Sequence, residues 1–268
     1  MSTVSSQPVG TLLREWRQRR RLSQLDLASE AEISSKHLSF LETGRARPSR
    51  EMILHLAEQL AIPLRERNLL LIAAGYAPIF AERALDDPAL QNARKAVDLV
   101  LAGHAPYPAL AVDRYWNLVA ANSALPPLLA GVDSALLHPP VNVLRLSLHP
   151  AGLAPRIANL VEWRSHLLAR LRHQIDLTAD AALVELMREL SEYPVPSRGR
   201  AGALRPDRDY AGVVVPLQLL TEGGTLSFFS TTTIFGTPID ITLAELAIES
   251  FFPANAATAT ALRGLANA

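Results

Sequence analysis

Side chains able to do acid–base or metal chemistry are sparse in this chain. Glu162 and His166 stand four residues apart with His173 seven further on, a spacing that could place ligands on one face of a helix. A working site needs more context than that. No His-Glu-x-x-His, phosphate loop, Gly-x-Ser-x-Gly or dinucleotide fingerprint accompanies them, so the three residues read as a solvated helix face. His104, His138 and the run Ser230 to Thr233 also lack an interpretable catalytic partner, and the Thr run reads as a strand. The chain has no cysteine, which removes thiolate catalysis, disulfides and Cys-ligated zinc. No catalytic residue, metal site or required cofactor is expected.

A different chemistry lies near the N-terminus. Arg14, Arg17, Arg19, Arg20 and Arg21 precede the segment Ser23 to Glu42, and Arg45, Arg47 and Arg50 follow it. Such groups suit phosphate contacts. The whole chain balances 26 basic against 26 acidic residues, but residues 1–80 hold 11 against 8 and residues 81–268 hold 15 against 18. The basic excess is confined to one end, and it is small. Non-specific affinity for nucleic acid should therefore be modest, with specific contacts or dimerisation supplying the rest.

The elements that must position these groups follow from spacing. Leu27, Ala28 and Ala31 form one apolar face, and Ile33, Leu38 and Leu41 form another after a short break, so two short helices must cross steeply. Ser23, with Asp26 three residues on, caps the first, Ser34 caps the second, and Gly44 ends it in the left-handed conformation. Ala28 marks the close approach of the pair. Ser49 starts a helix burying Ile53, Leu56, Ala57 and Leu60, and Pro63 starts another that Gly75 stops, which predicts a five-helix domain. Ala77 to Pro88 reads as linker, and Ala89 to Ala102 as a connecting helix. The predicted division is a helix-turn-helix domain over 1–80, linker and connecting helix over 81–104, and a second domain over 105–268.

The second domain mixes strands and helices. Leu110 to Val112 and Leu118 to Ala120 flank a tight turn, and Asn122 is expected to cap a short helix ending before Gly131. Helices are predicted over Pro155 to His173 and Ala179 to Ser191. Gly212 to Phe235 gives two β-branched and aromatic runs around Gly223-Gly224, a hairpin whose first strand, with Pro216, belongs at an edge. Its residues are apolar on both faces, so both must be covered. Thr242 and Glu245 are expected to box a helix ended by Pro253, and Asn255 to cap the last one. The predicted class is mainly α, with an α+β second domain built on a small antiparallel sheet. No apolar run approaches bilayer length and the N-terminal stretch lacks a secretory core, so a cytoplasmic protein without membrane insertion is expected.

Leu22-Ser23-Gln24, Ile33-Ser34, Leu38-Ser39, Leu41-Glu42-Thr43-Gly44-Arg45 and Pro48-Ser49 together resemble the helix-turn-helix of the Xre family of phage-repressor-like regulators. The resemblance implies that the helix starting near Ser34 enters the major groove, with base contacts from Ser35, Lys36 and Phe40 and with Ser34, His37, Ser39 and Arg45 beside them. Gln24 would hold a phosphate. Glu32 departs from the pattern, standing where the family turn commonly has a Gly able to take positive φ.

Arg114 to Asn122, Asn142 to Leu153 and Ile248 to Pro253 resemble the ligand-binding domain of MmyB-like transcription regulators over roughly residues 90–265. The resemblance implies a PAS-like domain and an apolar, fatty-acid-like ligand. A carboxylate-bearing lipid needs an apolar tunnel and one cation or donor near its mouth. Trp116, Leu146, Trp163, Leu167, Phe228 and Phe229 are the expected walls, and Arg145, His149, His166 and Arg170 the expected head-group residues. The expected protein is a dimeric, ligand-responsive regulator bound to a double-stranded operator. The alternative keeps the DNA domain and makes the C-terminal domain a ligand-free dimerisation or protein-interaction module.

Overall fold

The computed structural model describes residues 7–195 and 215–266. They form two compact units. The first holds the chain up to Arg83 with Asp176–Thr178 and Thr237–Ala244, and the second holds Ala84–Ile175, Ala179–Gly236 and the chain from Glu245 onward. The stretch 81–104, expected to connect the domains, is thus divided after Arg83. Gly212, Val213 and Val214 of the expected hairpin lie outside the described residues.

In the first unit, helices α1 (Val9–Arg19), α2 (Gln24–Glu30), α3 (Ser35–Glu42), α4 (Arg50–Gln59) and α5 (Leu64–Ala73) close around Leu13, Leu27, Leu38, Leu41, Ile53, Leu56 and Leu70. Three helix starts follow the Ser signals. Ser23 and Asp26 exchange a full capping box, and Ser34 and Ser49 accept from the backbones of His37 and Met52.

The helix ends follow one rule with less obvious residues. Arg21, Glu32, Gly44, Ala61 and Gly75 all take positive φ, between 47° and 87°. After each, the next amide reaches back five residues: Leu22 to Arg17, Ile33 to Ala28, Arg45 to Phe40, Ile62 to Ala57 and Tyr76 to Leu71, all within 3.1 Å. This is the Schellman ending, and Leu22, Ile33, Ile62 and Tyr76 carry it into the core as apolar residues that pack beneath the turn. Three of the five left-handed residues are not glycine, each at a cost of about 1–2 kcal/mol that the packing offsets.

A short helix, α10 (Ile241–Ala244), belongs to this unit. Asp240 accepts from the Thr242 amide at 2.9 Å and pairs with Arg83 at 3.0 Å, while the Thr242 hydroxyl donates to the Arg83 carbonyl. The expected capping box is therefore corrected: Asp240 is the cap, and Thr242 lies inside a single turn rather than starting a long helix.

The second unit is built on a five-stranded antiparallel sheet of order β2-β1-β5-β4-β3, with β1 Ala109–Val112, β2 Leu118–Ala121, β3 Leu217–Thr221, β4 Gly224–Ile234 and β5 Ala247–Pro253. This is the PAS-like α+β architecture. β3 is an edge strand, and Pro216 sits just before it, where no ladder donor is needed. β5 is the main departure from expectation. Residues 247–253 were expected in a helix, but they form the central strand, paired to both β1 and β4. Glu249 and Phe251 face one side and Ile248 the other, a period of two that the mixture of apolar and polar residues hides.

Helix α6 (Gln91–Gly103) covers one face of the sheet, where Val97 and Leu101 pack on Ala109, Ala111 and Ile248. Helices α7 (Val143–Leu148), α8 (Leu160–Thr178) and α9 (Ala181–Glu192) build the core on the other face. Pro155 does not begin α8 as expected, because it sits in a separate 3-10 turn and Ile157 bridges to Leu219. Asn122 caps nothing. Its amide ties the Leu101 and Tyr107 carbonyls to the Ala109 amide, locking the entry to β1. Asn255 caps α11 (Ala256–Ala266) through the Thr258 amide, as expected.

Candidate nucleic-acid interface and ligand pocket

Helices α2 and α3 and the turn between them form the helix-turn-helix. Leu38 and Leu41 point into the core, leaving Ser34, Ser35 and Lys36 exposed at the start of α3 and His37, Ser39 and Phe40 half-buried beside them. The Lys36 ammonium lies 5.7 Å and the Arg45 guanidinium 5.9 Å from the centre of the Phe40 ring, so one aromatic ring attracts two cations. Glu32, with φ of 51°, supplies the left-handed turn residue that its position requires.

The other end of α3 is fixed by charge. Arg17 donates to both oxygens of Glu42, at 2.6 and 2.9 Å, and Gln24 adds a third bond at 2.8 Å. Burial pushes the Glu42 carboxyl up, but these bonds and the Arg17 charge outweigh it and hold it below the usual range. Gln24 spends one of its two amide donors here, which leaves one for a phosphate. Arg17 and Arg20 are removed from the expected phosphate set. The first is buried, and the second donates to the Leu60 and Ala61 carbonyls at the end of α4. Arg14, Arg19, Arg21, Arg45, Arg47 and Arg50 remain exposed. Sequence reasoning also missed Gly10, where a Cβ would stand 2.2 Å from the Leu41 carbonyl, so α1 can lie against α3 only without a side chain there.

The second unit contains a pocket between the sheet and α7 and α8. The cavity has a volume of about 90 Å³. The pocket is narrow, and suits a slim chain. Leu110 and Leu118 come from β1 and β2, Leu217 and Leu219 from β3, Phe228 from β4 and Phe251 from β5. Leu144, Leu146, Trp163 and Leu167 come from the helices opposite.

Trp116 enters the wall from the β1–β2 turn, with φ of 64°. Asp113 holds that turn by accepting from the amides of Tyr115 and Asn117, both at 2.8 Å, and the indole donates to Gln174 of α8 at 2.7 Å. Gln174 donates back to the Arg114 carbonyl. The strained residue is therefore fixed at both ends. Asn142 caps α7 and bonds the Tyr115 carbonyl, and the Trp163 indole donates to Ser147 at 3.0 Å.

Two residues of the lining are charged. Arg170 pairs with Glu249 at 2.5 Å and 3.2 Å, its guanidinium 4.9 Å from the Trp116 ring centre, and Ser147 and Ser230 complete the polar lining.

Of the expected ligand residues, Trp116, Leu146, Trp163, Leu167, Arg170 and Phe228 come together in this wall. Four expectations are corrected. Phe229 points to the opposite face of the sheet and stacks on Phe252 at 5.2 Å, because neighbours on a strand face opposite ways. Arg145 turns toward α9 and pairs with Glu189 at 2.7 Å. His149 accepts from the Ala151 amide beside Tyr193. His166 packs against the Trp163 ring outside the lining, where burial first and the Arg170 charge second push its imidazole down. Glu162 and His173, the other two residues of the helix face, are exposed. Glu249, Ser147 and Ser230 were missed in the sequence; the first was hidden by the helical expectation for its segment.

Residues 8–70 match the family described as a helix-turn-helix domain, and residues 93–265 match the family described as the MmyB-like transcription regulator ligand binding domain. Both are modules of regulators rather than of enzymes. No curated protein matches the chain. Among the described residues no helix is long and apolar enough to cross a membrane. The second match spans well over half of the sequence and coincides with the pocket-bearing unit, and with a helix-turn-helix preceding it the chain belongs to the MmyB-like transcription regulators, DNA-binding proteins with a ligand-binding domain.

Proposed function

We propose that the protein is an Xre-type cytoplasmic regulator that binds its double-stranded operator as a homodimer and responds to a slim apolar molecule, a fatty acid or a compound with a similar chain. The observation that carries this reading is the largely apolar pocket, with Ser147, Arg170, Ser230 and Glu249 in its lining, on the same chain as an exposed Ser34-Ser35-Lys36 helix start. One helix-turn-helix reads only a few base pairs, and a two-fold pair reads two half-sites about 34 Å apart or a multiple of that. The ligand acts by preferring one arrangement of the dimer over another, since only differential affinity shifts an equilibrium.

Selection of bound fragments from random DNA by the purified protein tests the reading. The expected product is a pseudo-palindrome with that spacing, occupied by two copies, whose affinity changes when an apolar extract is added. Recovery of no common sequence, or one copy per site with no response to any extract, would overturn it.

A further inference from the structure

Trp116 is the strained point of the pocket wall, a non-glycine residue with φ of 64°. Backbone outliers of this kind persist only where their surroundings hold them, and they concentrate at ligand clamps and switch regions. The hold on Trp116 runs out of the pocket. Its indole donates to Gln174, and the Gln174 amide donates to the carbonyl of Arg114, two residues before the ring, so ring and turn move as one piece. The buried Arg114 guanidinium then reaches Asp180, the N-cap of α9, and Glu245, just ahead of β5, the second at 2.9 Å. None of Gln174, Arg114, Asp180 and Glu245 lines the pocket.

The places of these partners along the chain are a second observation. Asp176–Thr178 and Thr237–Ala244 belong to the helix-turn-helix unit. Gln174 stands two residues before the first of these segments, Asp180 two residues after it, and Glu245 directly after the second. Between Thr178 and Asp180, Ala179 is another non-glycine residue at positive φ, 57°. One residue thus ties the strained wall to three places where the chain passes between the units. A buried charge leaves its partners only at a large cost, so Arg114, Asp180 and Glu245 shift together.

We propose that Arg114 is a positioning residue that carries ligand occupancy from Trp116 to the helix-turn-helix unit, through Gln174, Asp180 and Glu245. A chain entering the narrow pocket presses on the Trp116 ring, and the displaced turn draws on the backbone at all three crossings. The inference rests on the ligand-responsive reading above and names the route of the response. The coupling arises because the ligand prefers one position of the turn.

Sodium dodecanoate, below its aggregation concentration, is the probe, and affinity for the selected operator fragment is the readout. With the full natural chain, saturating dodecanoate should change operator affinity at least about fivefold. Glu245→Gln and Gln174→Met each cut one arm of the route and leave the pocket lining as it is. Each should still bind dodecanoate in calorimetry, yet bring the change in operator affinity below about twofold. A merely structural role would weaken binding without removing that ratio. Hydrogen exchange of the unaltered chain gives a test independent of any variant, since dodecanoate should alter exchange in peptides covering 113–117, 174–182 and 240–246. Variants that keep the natural ratio, or exchange changes confined to the pocket lining, would overturn the inference. If dodecanoate binds the natural chain without changing operator affinity, or does not bind, the ligand-responsive reading itself has failed, and the route falls with it.

Discussion

Arg17 and Glu42 form a two-pronged ion pair inside the first unit, with side chains 9% and 1% exposed. The pair joins α1 to the last turn of α3, and Gln24 brings in α2, so three helices are referenced to one carboxylate. Removing one partner leaves the other charged and buried, which typically costs about 3–5 kcal/mol. Glu42→Ala should therefore lower the unfolding midpoint of this unit steeply. The double change Arg17→Met with Glu42→Leu should recover most of the loss, which denaturant titrations of the three variants would check.

The same pair sets an acid limit. Glu42 is held below the ordinary carboxylate range of about 4.3, so its contribution is complete above that pH and is lost as pH falls through the lower folded value. Stability of the first unit should drop more steeply below about pH 4 in the natural protein than in Arg17→Met/Glu42→Leu. Equal slopes would mean that the pair is not the titrating element.

Glu32 offers a change in the opposite direction. It is exposed and held at φ of 51°. Glycine removes the side-chain penalty of that conformation, about 1–2 kcal/mol, and returns about 0.4–1 kcal/mol through the looser unfolded chain. Glu32→Gly should raise stability by about 0.5–1 kcal/mol, seen as a thermal midpoint several degrees higher. DNA affinity should stay unchanged, because only a turn is relieved.

These residues also show how far the sequence could be read. Serine caps and the apolar stripes of α2, α3 and α4 were legible, because each signal is local and bonds within one turn of its own position. The left-handed endings were legible at Gly44 and Gly75 and as a misfit at Glu32, but silent at Arg21 and Ala61, where the tertiary packing of the following residue overrides propensity. Residues 247–253 were misread for the opposite reason. A strand paired on both sides with mixed faces has no alternating hydrophobicity, and its identity comes from partners more than a dozen residues away. The pocket wall was half legible, since bulk marks Trp116 and Trp163, but only strand parity separates Phe228 from Phe229.

The α3 face yields a prediction about specificity. Lys36 stands exposed in the first turn of that helix, while Arg45 lies past its end. A base contact costs about 1–3 kcal/mol when lost and relaxes one position of the site, whereas a phosphate contact weakens all sequences alike and lowers the salt slope by about one. Lys36→Ala should show the first pattern and Arg45→Ala the second, in titrations of operator and scrambled DNA at several salt concentrations. Loss of affinity on both DNAs alike for Lys36→Ala would assign it to the backbone instead.

The pocket can be tested by filling it. Leu118 lines the cavity from β2 and is half-buried, so a larger side chain has empty space to enter. In a close-packed core such an insertion costs about 1–3 kcal/mol through strain, but beside a true cavity the added contacts offset that cost. Leu118→Trp should thus leave the ligand-free thermal midpoint nearly unchanged. A bound ligand at one hundred times its Kd stabilises the folded state by about 2.7 kcal/mol, and the filled pocket should forfeit that gain. The decisive measurement is the thermal shift on adding the apolar ligand, large for the natural chain and near zero for the variant, with DNA binding by both proteins as the control for folding. A variant that loses stability without ligand would show that the walls close on one another in solution, and an undiminished shift would place the ligand elsewhere.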